Sequence, residues 1–293
     1  MACFVFERSL IIVAVVKVLI VGCGDLGIEL AHLVKTHGLI PIGLRRSLNS
    51  DASFDSIQAD VTHPNSLTVI SNLNPDFLVY CVAASAQTDE NYRLHYVEGL
   101  RNTLIALEGA TNLKHIFFVS STRMYGQTTA ELLDENTVPQ EMDFGGRRLL
   151  EAENLLKQPG RSWTHTALRL TGIYGPGRNR MLNIAANDSS WPTKNILTNR
   201  IHRDDAAAFI MHLIKMKMRG GEVQDCYVVT DSCPVSQYEV LNWIAAQMGI
   251  ETSREDPKVV GGKRMSNERM LSTGFLLKYP DYKVGYLAML NTV

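Results

Sequence analysis

Short apolar segments alternate with amphipathic segments over the first 174 residues of this 293-residue chain. The apolar segments have the length of strands and lie at 17–22, 39–44, 76–84, 115–121 and 164–173, with a shorter one at 55–60. The amphipathic segments have helical spacing and lie at 25–38, 91–110 and 146–158. Continuous apolar strands that alternate with helices are typical of a parallel sheet covered on both faces. The pattern therefore predicts an α/β fold with a doubly wound parallel sheet of the Rossmann type.

The pattern changes after Tyr174. Residues 186–200 are polar and irregular, whereas segments further on predict two helices, at 204–218 and 236–249, and a strand at 226–230. We predict a dinucleotide-binding Rossmann domain at 16–174, to whose sheet the strand at 226–230 returns. Residues 175–293 are expected to form mostly a small, interleaved substrate-binding lobe.

The N-terminal segment is apolar from Leu10 to Ile20 except for Lys17. This run is shorter than the roughly 18 apolar residues that suggest a membrane span. It also lacks the basic start and the cleavage site of a signal peptide. We interpret 17–21 as the first strand and 1–15 as an extension outside the core, of which 1–12 pack poorly.

Composition narrows the class of protein and of partner. Hydrophobic residues make up 45% and charged residues 20%, and 29 basic against 30 acidic residues leave a net charge of −1. This balance excludes a chain whose whole surface binds nucleic acid or anionic lipid, so neither is expected as a partner. The five cysteines are scattered without metal-ligand spacing. They predict free thiols, a cytoplasmic location and no metal site.

The sequence Gly22-Cys23-Gly24-Asp25-Leu26-Gly27 lies between the first strand and the first helix. In this context the spacing is typical of a dinucleotide-binding loop. The first glycine permits a tight turn, the second lets a pyrophosphate approach the backbone, and the third lets helix and strand pack closely. The free N–H groups at the helix start favour the phosphates. A glycine turn without a ligand is the alternative.

The end of the second predicted strand indicates which dinucleotide is preferred. An acidic residue there usually holds the ribose of NAD, but this chain has Arg45 and Arg46 and no acid before Asp51. Two guanidinium groups suit a 2′-phosphate, so NADP is predicted over NAD, with a solvated basic loop as the alternative. Asp60 and Val61, after the third strand, are expected to meet the adenine ring.

Four later segments belong together: FVSSTRMYG at 118–126, LRLTGIYGPGR at 168–178, IHRDDAA at 201–207 and CYVVTDSCPVSQYE at 226–239. Together they resemble the extended, epimerase/dehydratase-like branch of the short-chain dehydrogenase/reductase superfamily. GRRLLEAE and the closing YPDYKVGY make the finer pattern similar to the YeeZ-like subgroup. The resemblance implies a Rossmann fold and a nicotinamide cofactor. It also implies further cofactor contacts at Cys81, Ala83, Ala84, Ser120 and Arg148.

The chain departs from the superfamily at its proton-transfer residues. Members use a Tyr-x-x-x-Lys pair, but Phe144 aligns with the tyrosine and Arg148 with the lysine. Phenylalanine has no proton to exchange, and arginine stays charged. Tyr96 stands where members have a helix asparagine. The resemblance therefore implies that the usual acid/base machinery is absent.

Four remaining residues are candidates for catalysis or substrate binding by this resemblance. Ser121 matches the hydroxyl that hydrogen-bonds the reacting oxygen, and Tyr125 is a candidate substitute acid. A structural serine and a packed tyrosine are the respective alternatives. Arg178 and His202 belong to segments that line the substrate cleft in the family. An arginine there suits an anionic substrate, whereas a structural hydrogen-bonding role is the alternative for His202.

Two functions remain open at this stage. The first is an NAD(P)-dependent epimerase, dehydratase or reductase that acts at a carbinol or carbonyl of a small molecule such as a nucleotide sugar. The second is a catalytically inactive NADP(H)-binding module that regulates or joins a complex. The helices at 91–110 and 146–158 leave a homodimer open, with Leu149 and Leu150 as candidate contacts.

Overall fold

The computed structural model describes residues 15–47, 53–129, 131–157, 160–252 and 255–291. The interpretation of 1–12 as a poorly packed extension falls outside the described residues, as does Cys3. Cys81, Cys226 and Cys233 are free thiols in the described structure.

The chain forms fourteen strands within the described ranges. They are β1 (Lys17–Val21), β2 (Ile40–Arg45), β3 (Asp55–Gln58), β4 (Phe77–Tyr80), β5 (His115–Ser121), β6 (Leu132–Leu133), β7 (Thr164–Leu170), β8 (Gly172–Tyr174), β9 (Asn195–Thr198), β10 (Arg200–His202), β11 (Cys226–Val229), β12 (Val235–Ser236), β13 (Val259–Gly262) and β14 (Arg264–Met265).

Helices connect these strands. They are α1 (Asp25–Thr36), α2 (Asp89–Tyr92), α3 (Gly99–Ala106), α4 (Phe144–Leu155), α5 (Arg180–Ala185), α6 (Arg203–Met218), α7 (Gln237–Gln247), α8 (Glu268–Ser272) and α9 (Tyr282–Leu290). Short 3₁₀ turns lie at Pro64–Ile70, Thr122–Met124 and Asp188–Ser190, and Arg93–Glu98 is a π-helical turn.

The central sheet has seven parallel strands in the order β11–β7–β5–β4–β1–β2–β3. The chain runs outward from β1 to β3 on one side and from β4 to β11 on the other. The strand order therefore reverses between β1 and β4, which is where open α/β sheets form their ligand crevice. The predicted doubly wound α/β fold is confirmed.

Helices cover both faces of this sheet. Helices α1 and α6 pack on one face, where Leu30 and Phe209 join a cluster with Ile20. Helices α3 and α4 pack on the other, where Leu100 and Ala152 join the second cluster. Each sheet face is apolar because every central strand is buried on both sides.

Two segments differ from the sequence-based prediction. The helix predicted over 91–110 is divided into α2, the π-helical turn and α3. The segment 186–200, predicted to be irregular, contains β9 and the first residue of β10, and both strands pair with other short strands. Their short polar sequences lack the apolar runs that identify strands of the central sheet.

A separate aromatic cluster holds the C-terminal elements together. It includes Tyr174, Trp191 and Tyr238 with Tyr282 and Tyr286 of α9. These residues come from four distant parts of the chain. The division at 174 into two functional units stays a prediction.

Candidate active site

A cleft of about 510 Å³ opens at the carboxyl ends of β1, β2, β4 and β5. The sequence-predicted residues that line it are Gly22, Gly24, Asp25, Leu26, Arg45, Arg46, Asp60, Val61, Cys81, Ala83, Ser120, Ser121 and Arg178. The fold thus brings most of the candidate residues to one place, at the reversal of strand order.

The glycine turn forms one wall of the cleft. Gly22 has a φ of +88°, and a Cβ there would lie 2.5 Å from the backbone nitrogen of Val82. At Gly24 an added Cβ would meet only the Gly22 oxygen, at 3.9 Å. A Cβ at Gly27 would lie 3.1 Å from the same oxygen. Gly22 is therefore required by its φ and by packing, a side chain at Gly27 would need its neighbours to shift by a few tenths of an ångström, and Gly24 leaves open space on the cleft side.

Ion pairs gather at the start of α1. The Asp25 carboxylate accepts from Arg178 Nε at 2.5 Å and from Arg203 Nη1 at 3.0 Å. Both arginines follow β8 or β10 in the C-terminal part, so they reach across the mouth of the cleft. Arg203 also pairs with Glu29 and Asp204, so both guanidinium groups are compensated by carboxylates, and an anionic ligand here would have to replace Asp25 as a partner.

The opposite end of the cleft is basic at its rim and polar below. Arg45 is half-buried, Arg46 is exposed, and the Gln58 amide donates to the Arg46 carbonyl at 2.9 Å. Burial acts to raise the pKa of Asp60, but hydrogen bonds from Thr62 outweigh it and hold the pKa below its usual value. Asp60 therefore remains an anionic acceptor at neutral pH.

The floor of the cleft lies after β4 and β5. Burial raises the pKa of the Cys81 thiol, so this side chain stays protonated and inert. Ser121 accepts from the backbone N–H of Arg123 at 3.2 Å and retains its own hydroxyl proton as a donor. Ser120 is 4% exposed, and its Oγ has no hydrogen-bond partner within the described part of the chain.

Tyr125 does not line the cleft. Its side chain is fully buried, and its phenol donates to the Asp134 carbonyl at 3.0 Å and accepts from Arg169 at 2.5 Å. Burial raises its pKa to about 12. A phenol held this way is a packed structural group, so the geometry does not favour Tyr125 as the substitute acid.

Arg148 and Phe144 do not line the cleft either, and their side chains contact residues outside its lining. Arg148 forms ion pairs with Asp89 at 2.7 Å and with Glu151 at 2.8 Å. The Phe144 ring meets Tyr92 edge-on at 5.3 Å and lies 5.1 Å from the Arg123 guanidinium. The predicted contact between Arg148 and a cofactor therefore requires these ion pairs to open.

His202 is 1% exposed and caps α6, because its Nδ1 accepts the N–H of Asp204 at 3.2 Å. Its ring packs against Tyr279 at 3.8 Å between centroids. Burial lowers its pKa to about 4. The structural alternative fits this residue better than substrate binding. Ala84 likewise does not line the cleft.

Among the cleft-lining residues that sequence reasoning did not assign are two with polar side chains on one turn, His95 and Tyr96. Both lie in the π-helical turn. Burial raises the pKa of Tyr96, although a hydrogen bond from the Ala84 backbone opposes this. The only sequence signal for these two residues was their position just before a glycine, in the helix that follows β4. A regular helix predicted over 91–110 does not include the π-helical turn that contains them.

The described ranges contain neither a metal-ligand cluster nor a membrane-spanning helix. No cluster of three or more His, Cys, Asp or Glu side chains there could hold a metal ion. No helix in the same ranges has the length and apolar character to cross a bilayer.

Solved structures with the same fold cover nearly the whole chain. A protein from Methylobacillus flagellatus assigned as an NAD-dependent epimerase/dehydratase is 48% identical, with a TM-score of 0.87 over 95% of this chain and 99% of that one. A protein assigned as an epimerase from Burkholderia cenocepacia is 18% identical, with a TM-score of 0.81 over 94% and 97%. The UDP-glucose 4-epimerase of Thermus thermophilus in complex with NAD is 17% identical, with a TM-score of 0.74 over 92% and 96%. No curated protein matches the chain.

The parallel sheet, the glycine turn after β1 and the cleft beyond it define an extended short-chain dehydrogenase/reductase of the epimerase/dehydratase type. The chain belongs to the family described as the RmlD substrate binding domain, which matches residues 16–267.

Proposed function

We propose that the chain binds NADP(H) in this cleft and acts as an epimerase/dehydratase-like oxidoreductase on a nucleotide-sugar-like substrate. The observation that carries the proposal is the cleft itself. It joins the glycine turn, the start of α1 and a basic rim at the point where strand order reverses. That arrangement suits a pyrophosphate flanked by two nucleosides.

The residues present fit a dinucleotide. A side chain at Gly24 would fill the space next to the helix start, and glycine leaves it open for a phosphate. Ser120 Oγ is a buried polar atom without a partner in the described structure, and it lines the cleft. Buried polar atoms are usually paired, so a ligand group is the natural partner for this one.

The preference for NADP(H) rests on Arg45 and Arg46. Both line the cleft at the end of β2, and the sequence there reads Arg45-Arg46-Ser47, with no carboxylate to hold a ribose diol. A hydrogen bond to a charged group contributes about 1.5–3 kcal/mol. Calorimetric titration is therefore expected to give at least ~10-fold tighter binding of NADPH than of NADH.

The matched test replaces one arginine at a time. Arg46→Gln is expected to weaken NADPH binding and leave NADH binding unchanged. Arg147→Gln removes an exposed arginine from α4 outside the cleft, so it is expected to change neither affinity. Equal or tighter binding of NADH by the wild-type protein would contradict the NADP preference.

Bound nicotinamide supplies hydride transfer to or from a carbinol carbon. Ser121 lines the cleft and its hydroxyl proton is a donor, so it is the residue that we assign to the reacting oxygen. Arg178 would hold the phosphates of an anionic substrate after leaving Asp25. The comparison with a UDP-glucose 4-epimerase supports the nucleotide-sugar class of substrate.

Activity is tested by absorbance of the reduced nicotinamide, which follows net oxidation or reduction, and by chromatography of the sugar products, because epimerisation and dehydration return the nicotinamide to its starting oxidation state. The saturated protein is screened with nucleotide sugars and small carbonyl compounds, and Ser121→Ala serves as the matched inactive variant. Turnover that Ser121→Ala abolishes, with nucleotide affinity retained, is the expected result.

A catalytically inactive NADP(H)-binding module is the second candidate. Phe144 has no proton to exchange, Arg148 is paired with two carboxylates, and the Tyr125 phenol is buried. Saturable binding of NADPH with no turnover across the panel would favour this module over the enzyme.

Two further expectations remain proposals. The cytoplasmic location rests on the free thiols. Leu149 is not available for a homodimer contact through α3 and α4, because it is buried in the core and only 1% exposed. The half-buried Leu150 and Ile105, which is 62% exposed, remain available for such a contact.

A further inference from the structure

His95 lies at an irregular point of the helix that follows β4. It belongs to the π-helical turn Arg93–Glu98, which interrupts the path from α2 to α3. Such turns insert one extra residue and are found frequently at functional sites. His95 is 6% exposed and lines the cleft.

The hydrogen bonds of the imidazole define which nitrogen carries the proton. Nδ1 lies 2.9 Å from the backbone oxygen of Asn91. Because a carbonyl oxygen only accepts, Nδ1 must donate its N–H. In the neutral ring, Nε2 then has a lone pair and no hydrogen. The backbone at His95 is held as well, because its carbonyl accepts the Tyr80 hydroxyl.

Nε2 is buried, and no hydrogen-bond partner for it exists among the residues that the structure describes. Leaving a buried acceptor unpaired destabilises a protein. Unpaired groups of this kind usually have a partner supplied by a ligand or by ordered water.

Ser120 presents a second unpaired group on the same side of the sheet. Side chains alternate along β5, so Ser120 lies on the face that Phe118 shares with Tyr80. Tyr80 is the residue whose hydroxyl contacts His95. Two buried polar groups without partners in the described chain therefore open into one cleft from one face.

We propose that His95 is a ligand-binding residue of the cleft and that its Nε2 accepts a hydrogen bond from a hydroxyl of the bound ligand. A neutral acceptor matches an O–H donor, whereas a phosphate or a carbonyl offers only acceptors. The hydroxyl belongs to a ribose of the dinucleotide or to the sugar of a nucleotide sugar. This inference rests on the proposed function.

The first test follows the imidazole nitrogens of His95 by long-range ¹H–¹⁵N NMR on the full chain. We expect the Nδ1–H tautomer in the free protein and a shift of the Nε2 resonance when the ligand binds. A shift with NADPH alone assigns the hydroxyl to a ribose. A shift that requires UDP-glucose together with NADP⁺, and that UDP with NADP⁺ does not produce, assigns it to the sugar.

The second test uses variants and affinity. His95→Phe keeps an aromatic ring but removes the acceptor, so it is expected to weaken binding of the shifting ligand roughly 3- to 10-fold. His95→Gln restores an acceptor oxygen and is expected to recover part of the loss. His37→Phe is the matched control, because its Nδ1 makes the same contact to Leu33 one turn back on an exposed helix end.

The outcomes separate this inference from the proposed function. If NADPH saturates the protein but neither ligand shifts Nε2, and His95→Phe binds both ligands like the wild type, the role of His95 is overturned and the proposed function stands. If no nicotinamide dinucleotide binds to the folded protein, both are overturned.

Discussion

Substitutions at Gly22 and Gly24 separate the two tasks of the glycine turn, folding and binding. Alanine at Gly22 would adopt a φ of +88°, which disfavours a side chain by about 1–2 kcal/mol. Its Cβ would also lie 2.5 Å from the Val82 nitrogen, and overpacking of this kind adds about 1–3 kcal/mol. We therefore expect Gly22→Ala to lower the free energy of unfolding by about 2–5 kcal/mol.

Gly24→Val is expected to leave stability nearly unchanged and to weaken NADPH binding. A Cβ there meets only one atom, at 3.9 Å, so the melting temperature is expected to change little. The side chain occupies the space proposed for the pyrophosphate. Losing two charge-assisted hydrogen bonds would weaken NADPH binding by ~3–6 kcal/mol, which is at least ~100-fold.

Thermal unfolding and calorimetric titration of the same preparations measure both effects. Gly38→Ala is the control for backbone strain, because Gly38 also has a positive φ, +76°, but nothing lies within 4 Å of its added Cβ. It is expected to lose only about 1–2 kcal/mol of stability and no affinity. Wild-type NADPH affinity in a well-folded Gly24→Val protein would refute the assignment of this turn to the phosphates.

Three further predictions concern buried polar groups, and urea unfolding measures each. Tyr125→Phe removes a partner of the buried Arg169 and is expected to cost about 1–3 kcal/mol of stability without changing NADPH affinity; a large loss of turnover alone would restore Tyr125 as the acid. Glu153→Gln leaves Arg169 without its buried carboxylate and is expected to cost about 3–5 kcal/mol; a change below ~1 kcal/mol would show that water reaches the pair. Burial raises the pKa of Asp231 to about 7, so the folded state holds a proton that the unfolded state releases at about 3.8, and this group makes stability fall as pH rises between those values. Asp231→Asn is expected to remove that decline, at most ~4 kcal/mol, and an unchanged pH profile would contradict the shift.

The sheet and the glycine turn were predictable because their signals are local. β1 is a continuous apolar run, and the turn that follows it has glycines at positions where the structure allows no Cβ or leaves ligand space. Arg45 and Arg46 follow directly from the end of β2. In each case the feature depends on a strand and the few residues after it.

The position of Tyr125 shows that a local sequence motif does not determine where each of its side chains points. It follows Ser121 by four residues, and both belong to one motif. The 3₁₀ turn Thr122–Met124 lies between them, and Tyr125 ends in the core with Arg169 of a neighbouring strand. The direction of a side chain after a turn depends on contacts that are distant in sequence.

The position of His95 shows a limit of predicting helices from the spacing of apolar residues. The predicted helix over 91–110 has apolar residues at regular spacing, and a regular helix fits them. The π-helical turn shifts the register within that helix and turns His95 toward the cleft. The apolar residues of this segment nevertheless fit a regular helical spacing, so periodicity does not reveal the extra residue.

Side chains of the C-terminal part contact two walls of the cleft, the start of α1 and the segment that follows Ser121. Arg178 and Arg203 bind Asp25 at the start of α1. Lys263 donates to the backbone carbonyls of Thr122 and Tyr125, immediately after Ser121. Exposed ion pairs such as those of Asp25 contribute little to stability, so their main effect is on position. The glycine turn and the Ser121 segment are therefore both held by residues beyond 174, and the site depends on parts of the chain that a boundary at 174 would separate.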